Sequence, residues 1–211
     1  MAKRIAVIGT GYVGLVSAVG LSDFGHTVVG VDNNPKIVER LNAGELTIFE
    51  AGLREYLSRN VVSDRLTFSS DLRDAVRSSE IVIIAVGTPE RPDGTADLSH
   101  VRDVAFAIAE NLNEYKLILT KSTVPVGTNR WIADAISSKV PGAEFSIVSN
   151  PEFLREGRAV HDFFHPDRIV VGYDVEAPLA ERARRTVEEV YRSLYLIETP
   201  FVWCNLETAE L

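Results

Sequence analysis

The stretch Ile5-Ala6-Val7-Ile8-Gly9-Thr10-Gly11-Tyr12-Val13-Gly14 constrains this chain more than any other. A short apolar run of strand character ends in glycines spaced G-x-G-x-x-G. A helical pattern follows from Tyr12 to about Phe24, and a second apolar run, Thr27 to Val31, closes on Asp32. Strand, glycine turn, helix, strand and terminal acid within about 30 residues are the context that a dinucleotide-binding turn requires. Gly9 permits the tight turn off the strand. Gly11 lets a pyrophosphate approach the backbone, and Gly14 lets the helix pack closely on the strand. The free N–H groups at the start of the helix, with the positive end of its dipole, then face the phosphates. Asp32 is placed to accept hydrogen bonds from both ribose hydroxyls of an adenosine and to repel a 2′-phosphate, which favours NAD over NADP. The bland alternative is a glycine-rich turn with Asp32 as a turn former before Asn33-Asn34-Pro35. It gives no reason for strand, helix, second strand and acid to fall in place together.

The same alternation continues along the chain. Pro35 opens a helix to about Asn42, and Gly52 to Asn60 reads as another. Leu66–Phe68 is a third strand, and Asp71 caps a helix to about Arg77. The continuous apolar run Ile81–Val86 is expected to be a central strand covered on both faces. A helix from about His100 to Leu112, a strand at Lys116–Thr120, a helix to about Ser138 and a strand at Glu144–Val148 follow. A strand at Arg168–Gly172 and a long amphipathic helix, about Ala177 to Ser193, come next, with a short last strand at Leu196–Thr199. The pattern predicts an α/β fold: a doubly wound, mostly parallel, Rossmann-like sheet with helices on both faces. Residues 1–200 are expected to form this domain, with 201–211 as the start of a helix cut off by the end of the sequence.

Composition narrows the function classes. The 211 residues carry a net charge of −8 and no basic cluster, which argues against nucleic acid as a partner. The apolar runs are strand-sized, so no membrane span is expected, and the first is too short for a signal peptide. A single cysteine excludes an internal disulfide framework and fits a reducing cytoplasm. Cys204, flanked by apolar residues, reads as a small packed side chain rather than a nucleophile. His161 and His165 are four apart, but no third ligand accompanies them, so no metal is expected. His26 and His100 read as loop or cap residues.

In a doubly wound sheet the loops at the carboxyl ends of the strands face the ligand crevice. This places Thr88, the Lys121–Thr128 loop and the Asn150–Gly157 loop beside the cofactor. Lys36 either reaches back to the ribose or is a solvated lysine. Thr123 offers a hydroxyl that can position a water. Glu152 and Glu156 share a face if their segment is helical, as base and hydrogen-bonding group; otherwise they are acids favoured by a helix dipole.

Together these motifs resemble the UDP-glucose/GDP-mannose dehydrogenase family, in its amino-terminal NAD-binding domain. The matching stretches are Gly9–Gly14, Val86–Pro89, Asp93-Gly94 with Asp97–Ser99, Lys121–Thr128, Asn150–Gly157, Pro166–Gly172 and Glu207–Glu210. The resemblance implies oxidation of the C6 alcohol of a nucleotide sugar to a carboxylate with two NAD+, UDP-glucose being the expected substrate. GDP-mannose or a UDP-N-acetylhexosamine is the alternative within the family; a non-catalytic NAD-binding module is the alternative outside it. It implies that Asp32 and Lys36 hold the adenosine ribose and that Tyr12, Val13, Thr88 and Thr123 line the cofactor. Thr123 and Glu152 would organise the catalytic water. Phe153, Leu154 and Arg155 would line the sugar nucleotide with Glu152, and Glu156 would sit between substrate and cofactor. The family's nucleophilic cysteine, and its lysine and asparagine on a central dimer-forming helix, fall past Leu211. The implied whole is a homodimer with a carboxyl-terminal nucleotide-sugar domain, and the 211 residues alone are expected to bind cofactor without completing the oxidation.

Overall fold

A computed structural model describes residues 2–211, except the side chains of 195–197. In chain order the elements are β1 (Arg4–Ile8), α1 (Tyr12–Asp23), β2 (Thr27–Val31), α2 (Pro35–Asn42), α3 (Leu53–Val62), β3 (Leu66–Ser69), α4 (Leu72–Ser78), β4 (Ile81–Ile84) and α5 (Ser99–Asn111). Then follow β5 (Lys116–Thr120), α6 (Thr128–Lys139), β6 (Phe145–Ser149), α7 (Ala159–Phe164), β7 (Ile169–Tyr173), α8 (Ala180–Val190), β8 (Phe201–Cys204) and α9 (Leu206–Glu210). The strands form one sheet in the order β3-β2-β1-β4-β5-β6-β7-β8. All neighbours are parallel except β6 and β7. The expected doubly wound, mostly parallel sheet is therefore present.

Side-chain alternation along the central strands builds two cores. Ile5 and Val7 of β1 and Ile81 and Ile83 of β4 face a layer made by α1, α3, α7 and α8. Ala6 and Ile8, with Val82 and Ile84, face α4, α5 and α6. These strands are buried on both faces, which is why they read as unbroken apolar runs. α1 is enclosed almost all round: every residue from Gly14 to Ser22 is buried.

The departures from expectation lie at the carboxyl end. The last strand is Phe201–Cys204, parallel to β7, and Leu196–Thr199 is not a strand; a 3-10 turn over Arg192–Ile197 precedes it. The region 201–211 is thus not all helix. Among its first four residues Phe201 and Trp203, whose rings stack at 5.2 Å, flank the more exposed Val202, and that alternation suits a sheet edge. Only Leu206–Glu210 is helical, capped by Asn205, which accepts from Thr208 N–H at 2.8 Å. α7 carries too short an apolar pattern to be read from sequence. α8 starts at Ala180 rather than Ala177.

His26 lies in the loop between α1 and β2, as expected, and is there a buried tie. Its Nδ1 accepts from Lys3 N–H at 3.1 Å and its Nε2 donates to the Val190 carbonyl at 2.9 Å, a pattern only the neutral ring satisfies. Burial holds its pKa below the ordinary value. The unfolded chain takes up a proton near pH 6.5 and the folded one resists it, so the contribution is complete above about pH 6.5 and is lost as pH falls below that. Calorimetric melting is expected to lose more stability between about pH 7.5 and about pH 5.5 in the native protein than in His26→Gln. Parallel curves would refute the role.

Candidate functional site

β1 and β4 are neighbours, yet their following helices lie on opposite faces. The sheet therefore opens a crevice at the carboxyl ends of these two strands, and the glycine turn fills its floor. Gly9 has φ +98°, and a Cβ there would stand 2.6 Å from the Ala85 carbonyl oxygen at the end of β4. A Cβ on Gly14 would lie 1.9 Å from the Gly9 carbonyl oxygen. No side chain fits either position without moving backbone. Gly11 precedes α1, and a Cβ there would meet nothing within 4 Å, so open space remains beside the unpaired first N–H groups of the helix.

Asp32 stands at the end of β2, beside this turn. One carboxylate oxygen accepts from the Thr10 hydroxyl at 2.6 Å, the other from Asn34 N–H at 2.9 Å. Each oxygen keeps lone pairs for further donors, and the carboxylate is only partly buried. Thr10, the unassigned residue within the glycine motif, is 3 % exposed and fixes the orientation of Asp32. Lys36 is exposed in the first turn of α2, where Asn34 caps its N–H at 3.1 Å. An open glycine cradle, free helix N–H groups and an oriented carboxylate fit a dinucleotide whose adenosine ribose carries both hydroxyls.

The other strand-end loops are knotted together. The Thr88 hydroxyl donates to the Thr123 carbonyl at 2.8 Å, and the Ser122 hydroxyl to the Val86 carbonyl at 2.7 Å. Thr123 itself is exposed. Residues 150–155 are not helical, and Glu152 and Glu156 share no helical face. Glu152 instead accepts from the N–H of Leu154, closing a local turn. Glu152, Phe153, Leu154 and Arg155 line one cleft of about 340 Å³ with Lys121 and Arg168. Neither Thr123, Glu156 nor the glycine turn lines it, so of the expected site residues only Glu152, Phe153, Leu154 and Arg155 share this cleft.

Charges around the cleft are largely spoken for. Arg155 makes a two-pronged pair with Asp162, at 2.9 and 2.7 Å, which holds the Asp162 carboxyl far below the usual range. Phe153 is exposed, with the Arg168 guanidinium 5.2 Å from its ring centre. Lys121 is 5 % exposed, and its ammonium donates to the Asn150 carbonyl at 3.5 Å. His161 and His165 stack at 5.0 Å. Cys204 packs on β8 with its sulfur 3.8 Å from the Val171 carbonyl oxygen, and burial pushes its thiol pKa up.

Two carboxylates to which the sequence assigned no role brace the site. Glu50 holds Tyr12 and the loop after Glu156. Glu210 caps α6, accepting from Gly127 N–H at 2.6 Å and from Asn129 N–H and side-chain amide at 2.6 and 2.7 Å. α6 has no cap of its own, because Gly127 stands at its N-cap position. The Glu207–Glu210 motif was legible as a motif, but its partners 81 and 83 residues away were not.

Residues 3–195 match the UDP-glucose/GDP-mannose dehydrogenase family, NAD binding domain. The chain belongs to this family. It is 50% identical over 99% of its length to a UDP-glucose 6-dehydrogenase of Rhizobium meliloti and covers 47% of that protein. It is 42% identical to a UDP-glucose 6-dehydrogenase of Bacillus subtilis, covering 99% of this chain and 44% of that protein. It superposes on a UDP-glucose dehydrogenase of Pyrobaculum islandicum with a TM-score of 0.92 at 43% identity, over 100% of this chain and 48% of that one. The GDP-mannose dehydrogenase of Pseudomonas aeruginosa matches with a TM-score of 0.90 at 34% identity, over 98% of this chain and 47% of that one. The chain spans about half the length of the curated relatives it matches. It is an NAD-binding domain of this family, and no helix among the described residues is long and apolar enough to cross a membrane.

Removing the Glu210 cap is expected to destabilise the domain by about 1–2 kcal/mol in Glu210→Ala, read by denaturant unfolding. A change under about 0.3 kcal/mol would show the contact to be idle.

Proposed function

We propose that this chain is the cofactor-binding half of a dehydrogenase that oxidises the C6 alcohol of UDP-glucose to the carboxylate of UDP-glucuronate with two NAD+. The observation that carries the reading is the glycine cradle at the β1/β4 crevice beside an Asp32 already oriented by Thr10 and Asn34. The 50% identity to the Rhizobium meliloti enzyme, against 34% to the GDP-mannose dehydrogenase, supports the choice of sugar nucleotide.

In this reading Gly9, Gly11 and Gly14, with the N–H groups of Tyr12 and Val13, receive the pyrophosphate. Asp32 and Lys36 take the adenosine ribose. Thr88 and Thr123 flank the reacting end, which supplies the hydride acceptor when bound. Thr123 and Glu152 hold the water that provides the second carboxylate oxygen, and Glu152 accepts its proton. Phe153, Leu154 and Arg155 line the sugar nucleotide, with the Arg155 guanidinium held by Asp162. Glu156 lies between substrate and cofactor. In the complete protein, the NAD-binding domain, which β8 carries to Cys204, is followed by the helix beginning at Leu206, which leads to a dimer contact and a nucleotide-sugar domain. The compartment is the cytoplasm.

The complete gene product is expected to form two NADH per UDP-glucuronate, with kcat/KM for UDP-glucose at least about tenfold above that for GDP-mannose. Glu152→Gln is expected to lower kcat about a hundredfold. Preference for GDP-mannose or a UDP-N-acetylhexosamine would reassign the substrate. A folded product that binds NAD+ and oxidises none of them would leave a binding module.

A further inference from the structure

Glu50 lies outside every motif assigned above. Its neighbour Phe49 is 94 % exposed while Glu50 is 4 % exposed, so the loop turns this one carboxylate inward. A buried carboxylate is retained only where donors replace its water. Here they come from two distant parts of the chain. The Tyr12 hydroxyl donates to Oε2 at 2.6 Å, Gly157 N–H donates to the same oxygen at 2.9 Å, and Ala159 N–H donates to Oε1 at 3.0 Å. The Tyr12 oxygen also lies 3.3 Å from the Arg155 carbonyl oxygen.

The ends of this bridge matter. Tyr12 is the first residue of α1, directly after Gly11, so its backbone N–H is one of the free donors of the cradle. Gly157 directly follows Glu156, and Ala159 opens α7. Arg155, Glu156 and Gly157 belong to the loop assigned to the sugar nucleotide. A single carboxylate therefore joins the residue that would meet the pyrophosphate to the loop that would meet the substrate. The brace for α7 alone would not need Tyr12: the N–H donors of Gly157 and Ala159 already occupy both oxygens.

We propose that Glu50 is a positioning residue which sets the 152–157 loop against the cofactor turn through Tyr12, so that dinucleotide binding orders the loop. The proposal rests on the cofactor reading given above. A ligand that fixes the backbone of Tyr12 fixes its ring, the ring hydroxyl fixes the Glu50 carboxylate, and the carboxylate fixes the loop amides. The two sites are linked by rigid, hydrogen-bonded groups, and the link is broken by removing one hydroxyl.

Hydrogen exchange of the 155–160 segment in the complete gene product, with and without saturating NAD+, tests this. Titration establishes saturation for each variant, and near-ultraviolet dichroism establishes the fold. NAD+ is expected to slow the exchange of Gly157 and Ala159 about tenfold in the native protein. Tyr12→Phe keeps both N–H bonds to Glu50, so its cofactor-free rate stays within about twofold of native while the slowing by NAD+ disappears. Glu50→Gln exchanges faster without cofactor and also loses the slowing. Full slowing in saturated Tyr12→Phe, or a native protein that binds NAD+ without slowing, would overturn the positioning role and leave the cofactor reading intact. A folded native protein that binds no NAD+ would overturn both, and the titration alone would reveal it.

Discussion

The structure depends on the close approach of Gly14 to the Gly9 carbonyl. A methyl group at Gly14 would lie 1.9 Å from that oxygen, and one at Gly9 would lie 2.6 Å from the Ala85 carbonyl oxygen. Helix, turn and two strands are thereby drawn into van der Waals contact through backbone alone. That contact sets the start of α1 above the switch point of the sheet, and its unpaired N–H groups open onto the crevice. The enclosure of α1 from Gly14 to Ser22 keeps it there, because the helix cannot tilt without opening a cavity in the larger core.

Around this fixed point, carboxylates act as braces. Asp32 is turned by Thr10, Glu50 gathers Tyr12 and two loop amides, Asp162 clamps Arg155, and Glu210 caps α6. An acidic chain of net charge −8 thus presents an anionic dinucleotide with backbone N–H groups and a helix dipole. Its acids are largely turned to structural donors. Loop geometry at the crevice is set from three sides: by Thr88 on Thr123, by Glu50 behind the 152–157 loop, and by Glu210 beneath the helix that follows Thr123.

Legibility in the sequence followed the range of the forces. Local patterns sufficed for β1, β2, β5, α1 and α2, where periodicity, Pro35 and the glycine turn all point the same way. The apolar runs of β4, β5 and β6, whose carboxyl ends face the crevice in a doubly wound sheet, put Thr88, Thr123 and the 150–157 loop at strand ends. What local pattern could not convey was partnership across the chain. Glu50 is one acid in a short loop until folding brings Tyr12, 38 residues away, and Ala159, 109 residues away, onto it. His26 reads correctly as a loop residue, but its tie to Val190, 164 residues on, does not show in the sequence. The helical reading of Glu152 and Glu156 failed because Glu152 bonds its own loop. Phe201–Cys204 was hidden by its brevity, and by an edge position that buries it only in part.

The central claim is that the glycine cradle and Asp32 together select a dinucleotide with a free adenosine 2′-hydroxyl. Calorimetric titration of the protein with NAD+ and NADP+, beside Asp32→Ala, tests it most directly. The account predicts saturable binding of NAD+, weakened about tenfold or more in Asp32→Ala, and binding of NADP+ that is poorer still and improves relative to NAD+ in that variant. Equal affinity for the two dinucleotides, or NAD+ binding indifferent to the loss of Asp32, would contradict it.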